Sequence, residues 1–383
     1  MNIERVELTN FRNHKNTSLE LSPGTNVLVG KNAQGKTNLL EAVFLTCVGR
    51  GWRTNKDKDM INFDADIARV RTVVRRKFGE VAVEITLPRA TRKTIKINGV
   101  PVQRMGELMG QVNCVFFSPD ELRLVKDAPA DRRRFLDIDI SQIDKAYFYA
   151  LLKYNKILLQ RNALLKAKNE DIESGLDIWD LQLAKVGAVI VARRMQFVGK
   201  LCENVAKVHS YLTGGKETIE VSYERSDQHA PQGGACYENI TNVTRVTNEA
   251  TTEPHDDIEA LLLGHIQAAR EKDLRLRTTT VGPHRDDLKI SIDGKDVRHF
   301  ASQGQQRTVA LSLKLAELEI FREATGEMPV LLLDDVFSEL DAERQARLVK
   351  ALSKCQSLVT AVSFVGAANN VKIFKVENGA IVK

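Results

Sequence analysis

Cysteine is scarce: Cys47, Cys114, Cys202, Cys236 and Cys355 are the only five in 383 residues, scattered and odd in number. No Cys-x-x-Cys pair or His/Cys cluster is present to hold zinc, and reduced thiols in cytosol are the simplest account. No run of eighteen apolar residues occurs, and the opening MNIERVELTNFRNHKN has no signal-peptide apolar stretch. Membrane spanning and secretion are therefore disfavoured, and a cytoplasmic location is expected. Apolar heptads are not sustained, which argues against a long coiled coil. Internal repeats, sequence-reading DNA motifs and an additional acidic cluster of nuclease type are also missing. The formal charge is only +6, but residues 51–100 hold twelve Lys/Arg against six Asp/Glu. Such an excess is either a solvated face or a polyanion footprint.

What is present is more specific. Residues 30–37 read GKNAQGKT and fill the phosphate-loop pattern Gly-x-x-x-x-Gly-Lys-Thr at every fixed position. An apolar strand candidate, Thr25 to Val29, precedes it, and a helical stretch, Asn38 to Leu45, follows, which is the context the motif requires. Gly30 and Gly35 let the backbone of Lys31, Asn32, Ala33 and Gln34 fold into a nest of N–H groups facing phosphate oxygens. Lys36 adds charge for the β- and γ-phosphates, Thr37 a hydroxyl for Mg²⁺, and the helix beginning near Asn38 its positive end. These residues imply that the chain binds a nucleoside triphosphate.

A second half of such a site lies far downstream. Residues 330–335, Val-Leu-Leu-Leu-Asp-Asp, read as a buried parallel strand ending in two acids. Asp334 suits the Mg²⁺-associated position, and Asp335 is placed to orient or deprotonate the attacking water. Thirty-two residues ahead of Asp334, Ser302-Gln303-Gly304-Gln305 opens a helical stretch. Ser302, Gly304 and Gln305 there offer a hydroxyl and backbone N–H groups to an anion.

Elsewhere, alternating apolar residues at 3–8, 70–74 and 81–87 predict sheet, and Asn98-Gly99 and Asp293-Gly294 predict hairpins. From Asp131 the texture turns helical. Apolar residues recur at three- or four-residue steps over 177–212, interrupted at Arg194 and ended by Gly214-Gly215, while 133–168 reads as a long helix or helix pair. Residues 225–256 read as a polar surface loop. Leu358 to Ser363 reads as a terminal strand, and Val112 to Phe117 as another.

Order, spacing and wording together resemble the RecF family of cassette-type ATPases. LTNFRNH (Leu8 to His14), FSPDELRLVKDAPADRRRFLD (Phe117 to Asp137) and VGPHRDDL (Val281 to Leu288) resemble its distinctive segments, and Ser338-Glu339-Leu340-Asp341 resembles the cassette loop of Ser-x-Leu-Asp type. The resemblance implies an α/β fold, an ABC-type phosphate-loop ATPase head with a mixed sheet, an antiparallel β subdomain and an inserted helical lobe. Boundaries are expected at 1–125 for the first half of the ATPase lobe, 126–275 for the helical lobe and 276–383 for the second half. It also implies ATP and Mg²⁺ as cofactors and a homodimer formed on ATP, with Ser302 and Gly304 of one subunit covering the nucleotide held by Lys36, Thr37 and Asp334 of the other. Asp335 stands where transporter cassettes carry Glu, one methylene longer, so slow turnover is expected.

By the same resemblance, the partners are double-stranded or gapped DNA and RecR, with RecO and RecA in the same pathway of gap repair, replication restart and SOS induction. Arg50, Arg53, Arg75, Arg76, Lys77, Arg89, Arg92 and Lys93 are the basic candidates for phosphate contact, with Arg132-Arg133-Arg134 either a DNA contact or a structural bridge. His284, Arg285 and Asp286 fit either a structural turn or a place near the nucleotide or the dimer face. The alternative function is an ATPase subunit energising another machine, without DNA specificity of its own.

Overall fold

A computed structural model describes residues 1–167, 172–226, 254–337, 342–363 and 371–382. Ser338 to Asp341 and most of the polar stretch 225–256 lie outside them. The chain divides into two units. The first comprises Met1–Leu122, Val208–Lys216 and Gly304–Lys383, and the second Arg123–Lys207 and Glu217–Gln303.

The first unit holds two six-stranded sheets. One runs in the order Ala380–Val382, Val371–Glu377, Thr25–Val29, Ser357–Ala361, Val330–Asp334, Cys114–Phe117, parallel except for its terminal hairpin. Val330–Asp334, Ser357–Ala361 and Cys114–Phe117 are buried at every residue, as expected of parallel strands covered on both faces. The strand read as terminal is thus not the last. Val371–Glu377 follows it and takes the free edge of Thr25–Val29, its weakly apolar, half-exposed composition giving little signal.

The other sheet is antiparallel: His14–Glu20, Asn2–Phe11, Ile67–Arg76, Gly79–Pro88, Thr94–Ile97 and Val100–Pro101. Ile67–Arg76 alternates buried and open positions, the mark of one face packed and one wet. The hairpin at Asn98-Gly99 forms with both residues at positive φ, 51° and 80°, the backbone that makes Asn-Gly the preferred pair. Helix Lys36–Val48 packs on strands of both sheets and is buried nearly all round, so it has no polar face to display.

In the second unit the 133–168 region is a helix pair, Pro129–Ile143 and Lys145–Lys166. They part at Asp144, whose carboxylate accepts the N–H groups of Ala146 and Tyr147 at 2.8 and 3.1 Å and so starts the second helix. The next helix, Ile172–Thr213, is 42 residues long; from Val208 onward it belongs to the first unit, and it ends at Gly214 and Gly215, both at positive φ. The break in its apolar pattern is explained within the unit. Arg194 is buried and donates to Asp137 (2.7 Å), Tyr147 Oη (3.0 Å) and the Pro283 carbonyl (2.6 Å). The unit also carries a small sheet, Lys295–Asp296, Asp287–Ile292 and Ile219–Glu224. Its Asp293-Gly294 hairpin was legible; the pairing with Ile219–Glu224, some seventy residues upstream in register, was not.

Candidate nucleotide site

Strand Thr25–Val29 delivers the chain to Gly30, and helix Lys36–Val48 carries it away. Between them Lys31, Asn32 and Ala33 stand exposed, and Gln34 is half-buried. A Cβ on Gly30 would sit 2.4 Å from the Val376 carbonyl oxygen. Gly35 holds φ 110°, and a Cβ there would meet Asn13 at 2.7 Å. Both glycines are therefore required by space or backbone. Lys36 folds back over the loop, its Nζ donating to the carbonyls of Gly30 (2.5 Å) and Lys31 (2.8 Å). Burial pushes its pKa below the usual lysine value, while the charges of Asp335 and Asp334 oppose that shift.

Residues far away in sequence clasp the loop, and motif reading missed them. Asn13 Nδ2 donates to the Gln34 carbonyl at 3.1 Å, while Asn13 Oδ1 accepts from Asn38 at 2.8 Å. His14, fully buried, has Nε2 3.0 Å from the Gly35 carbonyl oxygen and Nδ1 3.1 Å from Thr17 Oγ1. The turn at Asn378-Gly379 adds two bonds to Gln34: Asn378 N–H to Oε1 at 2.6 Å and Gly379 N–H to the carbonyl at 2.9 Å. The only local signal for Asn13 and His14 was their place in the Leu8 to His14 segment.

The acidic strand meets the loop directly. Thr37 Oγ1 donates to Asp334 Oδ1 at 2.8 Å, and Thr360 Oγ1 donates to the same oxygen at 2.8 Å. Asp335 N–H in turn donates to Thr360 Oγ1 at 2.9 Å, at a backbone φ of 50°, a left-handed conformation that Asp tolerates better than most residues. Arg53 lies 3.9 Å from Asp334 Oδ2 and donates to Asn38 Oδ1 at 3.3 Å. Burial raises the Asp334 pKa above the ordinary carboxylate value; the hydrogen bonds from Thr37 and Thr360 pull it back.

The arrangement offers backbone N–H groups, a lysine ammonium and a helix N-terminus to a chain of phosphates. Thr37 and Asp334 form an all-oxygen donor pair suited to a hard cation such as Mg²⁺. Among the described residues no three His, Cys, Asp or Glu side chains gather to hold a metal alone. Lys36, Thr37, Asn38, Asp334 and Asp335 are thus brought together in the first unit. Gly304, exposed, and Gln305, half-buried, lie in the first turn of helix Gln303–Thr325 in that unit, whereas exposed Ser302 belongs to the second.

Several basic residues are spoken for. Arg75 pairs with Glu4 at 2.9 Å, Arg76 with Glu327 at 2.9 Å and Lys93 with Asp57 at 3.0 Å, while Arg89 donates to the Asn62 and Ala65 carbonyls. In the second unit Arg132, 1% exposed, grips Asp287 with two bonds of 2.6 and 2.9 Å, and Arg133 donates to the Asp286 carbonyl. His284 lies 2.8 Å from Tyr154 Oη and 3.1 Å from the Thr279 carbonyl oxygen; burial drops its pKa to about 4. Asp286 accepts from Tyr223 Oη and from the Ser226 N–H. These segments build the interior of their own unit.

Residues 2–382 match the family described as RecF/RecN/SMC N terminal domain. A DNA replication and repair protein RecF of Clostridium botulinum (strain ATCC 19397 / Type A) is 42% identical over 360 residues, covering 94% of this chain and 92% of its own. Its counterpart in Lachnoclostridium phytofermentans is 39% identical over 389 residues, with 100% of both chains covered. A solved structure of the recombination mediator protein RecF with ATPrS, in the RecFOR pathway, superposes with a TM-score of 0.85 at 38% identity, over 99% of this chain and 97% of that one. An Smc head bound to the C-winged helix domain of ScpA shares the fold at 16% identity and a TM-score of 0.56, over 100% of this chain and 96% of that one. No helix among the described residues is long and apolar enough to cross a membrane. The chain belongs to the RecF family, and its fold is that of an ABC-type ATPase head.

Proposed function

We propose that this chain is an ATP-dependent recombination mediator that holds ATP with Mg²⁺, dimerises around it, and binds double-stranded or gapped DNA. The observation that carries the reading is the bond between Thr37 and Asp334, which joins the phosphate loop to the acidic strand over an interval of 297 residues. Relatives solved with ATP and ATPrS are similar over almost the whole chain, which supports ATP as the nucleotide. Lys36 screens the phosphates, Thr37 and Asp334 hold Mg²⁺, and Asp335 orients the attacking water. Bound Mg²⁺ supplies charge neutralisation for the transferred phosphoryl group. The shorter Asp335 gives slow hydrolysis, stimulated by DNA, that resets the dimer. Ser302 and Gly304 act on the nucleotide of the second subunit, so ATP shifts the population toward the dimer by binding it better. DNA is then held through phosphate contacts, and with RecR and RecO the complex directs RecA to gaps.

Sedimentation with and without ATP tests the dimer. Lys36→Met is expected to remove nucleotide binding and dimerisation together, and Ser302→Ala to bind ATP as a monomer. A Ser302→Ala protein that still dimerises on ATP would defeat the action in trans. Binding of gapped and blunt duplexes across a salt series, with and without ATP, tests the DNA arm; indifference to nucleotide would favour a plain ATPase or a passive DNA binder.

A further inference from the structure

The contacts that run from the phosphate loop through His14 to the C-terminal turn are one proton short. His14 is fully buried, with Nε2 3.0 Å from the Gly35 carbonyl oxygen and Nδ1 3.1 Å from Thr17 Oγ1. Thr17, buried as well, has the same Oγ1 2.9 Å from the Gly379 carbonyl oxygen. Both ends of this chain of contacts are carbonyls, which accept and never donate. Three hydrogen bonds therefore need three protons. A neutral imidazole supplies one and the threonine hydroxyl another. With Nε2–H on Gly35, Thr17 serves either Nδ1 or Gly379, not both. An imidazolium completes the set.

Burial opposes that form and pushes the His14 pKa below the ordinary histidine value, while the carbonyls of Gly35 and Gly379 pull it back. Charged side chains on the surrounding elements are engaged elsewhere. On its own hairpin Arg12 bonds Glu41 and Lys15 faces Asp64 at 3.9 Å. On the loop Lys31 is exposed, and Lys36 is held by the Gly30 and Lys31 carbonyls. On the C-terminal strand Lys375 pairs with Glu377 at 2.7 Å. No carboxylate of the described residues is among the groups that shift His14. What the ring lacks is a negative charge, and a triphosphate brings one to the loop that the ring touches.

We propose that His14 is a positioning residue of the nucleotide site, and that a bound triphosphate draws a proton onto it and so closes the clasp. The proton comes from solvent and goes to Nδ1, which turns from accepting to donating toward Thr17 Oγ1. The threonine proton then serves the Gly379 carbonyl, and Nε2–H stays on Gly35. This rests on the ATP reading above.

The test is calorimetric titration with a non-hydrolysable ATP analogue and Mg²⁺ in two buffers of different ionisation enthalpy, from about pH 8 down to about pH 6, the range in which histidine titrates. The difference between buffers counts protons, and the titration of the analogue's own phosphate cancels between variants. Wild type is expected to take up more protons than His14→Gln, by up to about one per subunit between the pKa values of the free and the bound ring. Its affinity advantage over His14→Gln should grow about three- to tenfold as the pH falls through that window. Thr17→Val, which keeps the β-branched shape but offers Nδ1–H no acceptor, should lose most of the uptake. If His14→Gln does not fold, Thr17→Val against wild type decides by the same count. Equal proton counts in wild type and variants overturn the proposal, as does an affinity loss in His14→Gln that is the same at every pH. A wild type that does not bind the analogue at all sinks the ATP reading and takes this assignment with it.

Discussion

Two buried ionic centres in this molecule use the same side-chain types and are finished differently. In the second unit Arg161, Asp180 and Asp273 are all 0% exposed; Arg161 bonds Asp180 at 2.6 Å and Asp273 at 2.7 Å. The remaining carboxylate oxygens are also taken, Asp180 by Arg270 at 2.6 Å and Asp273 by the N–H and hydroxyl of Thr280. Of this cluster, Arg161 Nη2 alone lacks a partner among the described residues. In the first unit, by contrast, one oxygen of Asp334 carries two hydroxyl bonds while the other faces a half-exposed arginine at 3.9 Å. A nearly closed network fixes a scaffold. An open one keeps capacity for something that arrives later.

Arg161→Met should break the contrast most severely, because it leaves buried Asp273 without its cation and buried Asp180 with Arg270 alone. A loss of about 3–5 kcal/mol is expected in denaturant unfolding, with nucleotide affinity of the remaining folded protein unchanged. A small loss would mean the cluster is wetter than its burial implies.

His284 offers a pH handle on the same scaffold. Its folded pKa of about 4 lies below the ordinary 6.5, so between those values the unfolded chain binds more protons. Stability must then rise from pH 4 to 6.5 and fall as acid is added, by up to about 3 kcal/mol. His284→Gln, neutral in both states, should flatten that part of the profile in unfolding midpoints measured at pH 4.5 and 7; an unchanged slope would place the titration elsewhere.

The smallest effect belongs to the open centre. Arg53→Ala removes a partly exposed partner of Asp334, and unfolding should shift by less than about 1 kcal/mol. A larger loss would show that the nucleotide site is more tightly closed than its distances suggest.

What could be read from the sequence was what is local. The phosphate loop and the strand ending in Asp334 announce themselves within eight and six residues, and Asn98-Gly99 fixes its own hairpin through φ. The clasp of Asn13, His14 and Gly379 was not readable, since sheet pairing brings it to the loop from both ends of the chain. Charge was legible only as residue type. Arg75 and Arg76 read as part of a solvated face or a polyanion footprint, and Glu4 and Glu327 meet them from 71 and 251 residues away. Residue type gives the charge; only the fold says who answers it.

The turn at Asn378-Gly379 has a consequence for how the protein is made. It braces Gln34 across an interval of 344 residues, and strand Val371–Glu377 walls the loop at Gly30. Contacts so distant along the chain are slow to form, and on the ribosome this brace emerges long after the loop it supports. A polypeptide still lacking residues 371–379 therefore has an unbraced loop, and the clasp closes only after they have emerged.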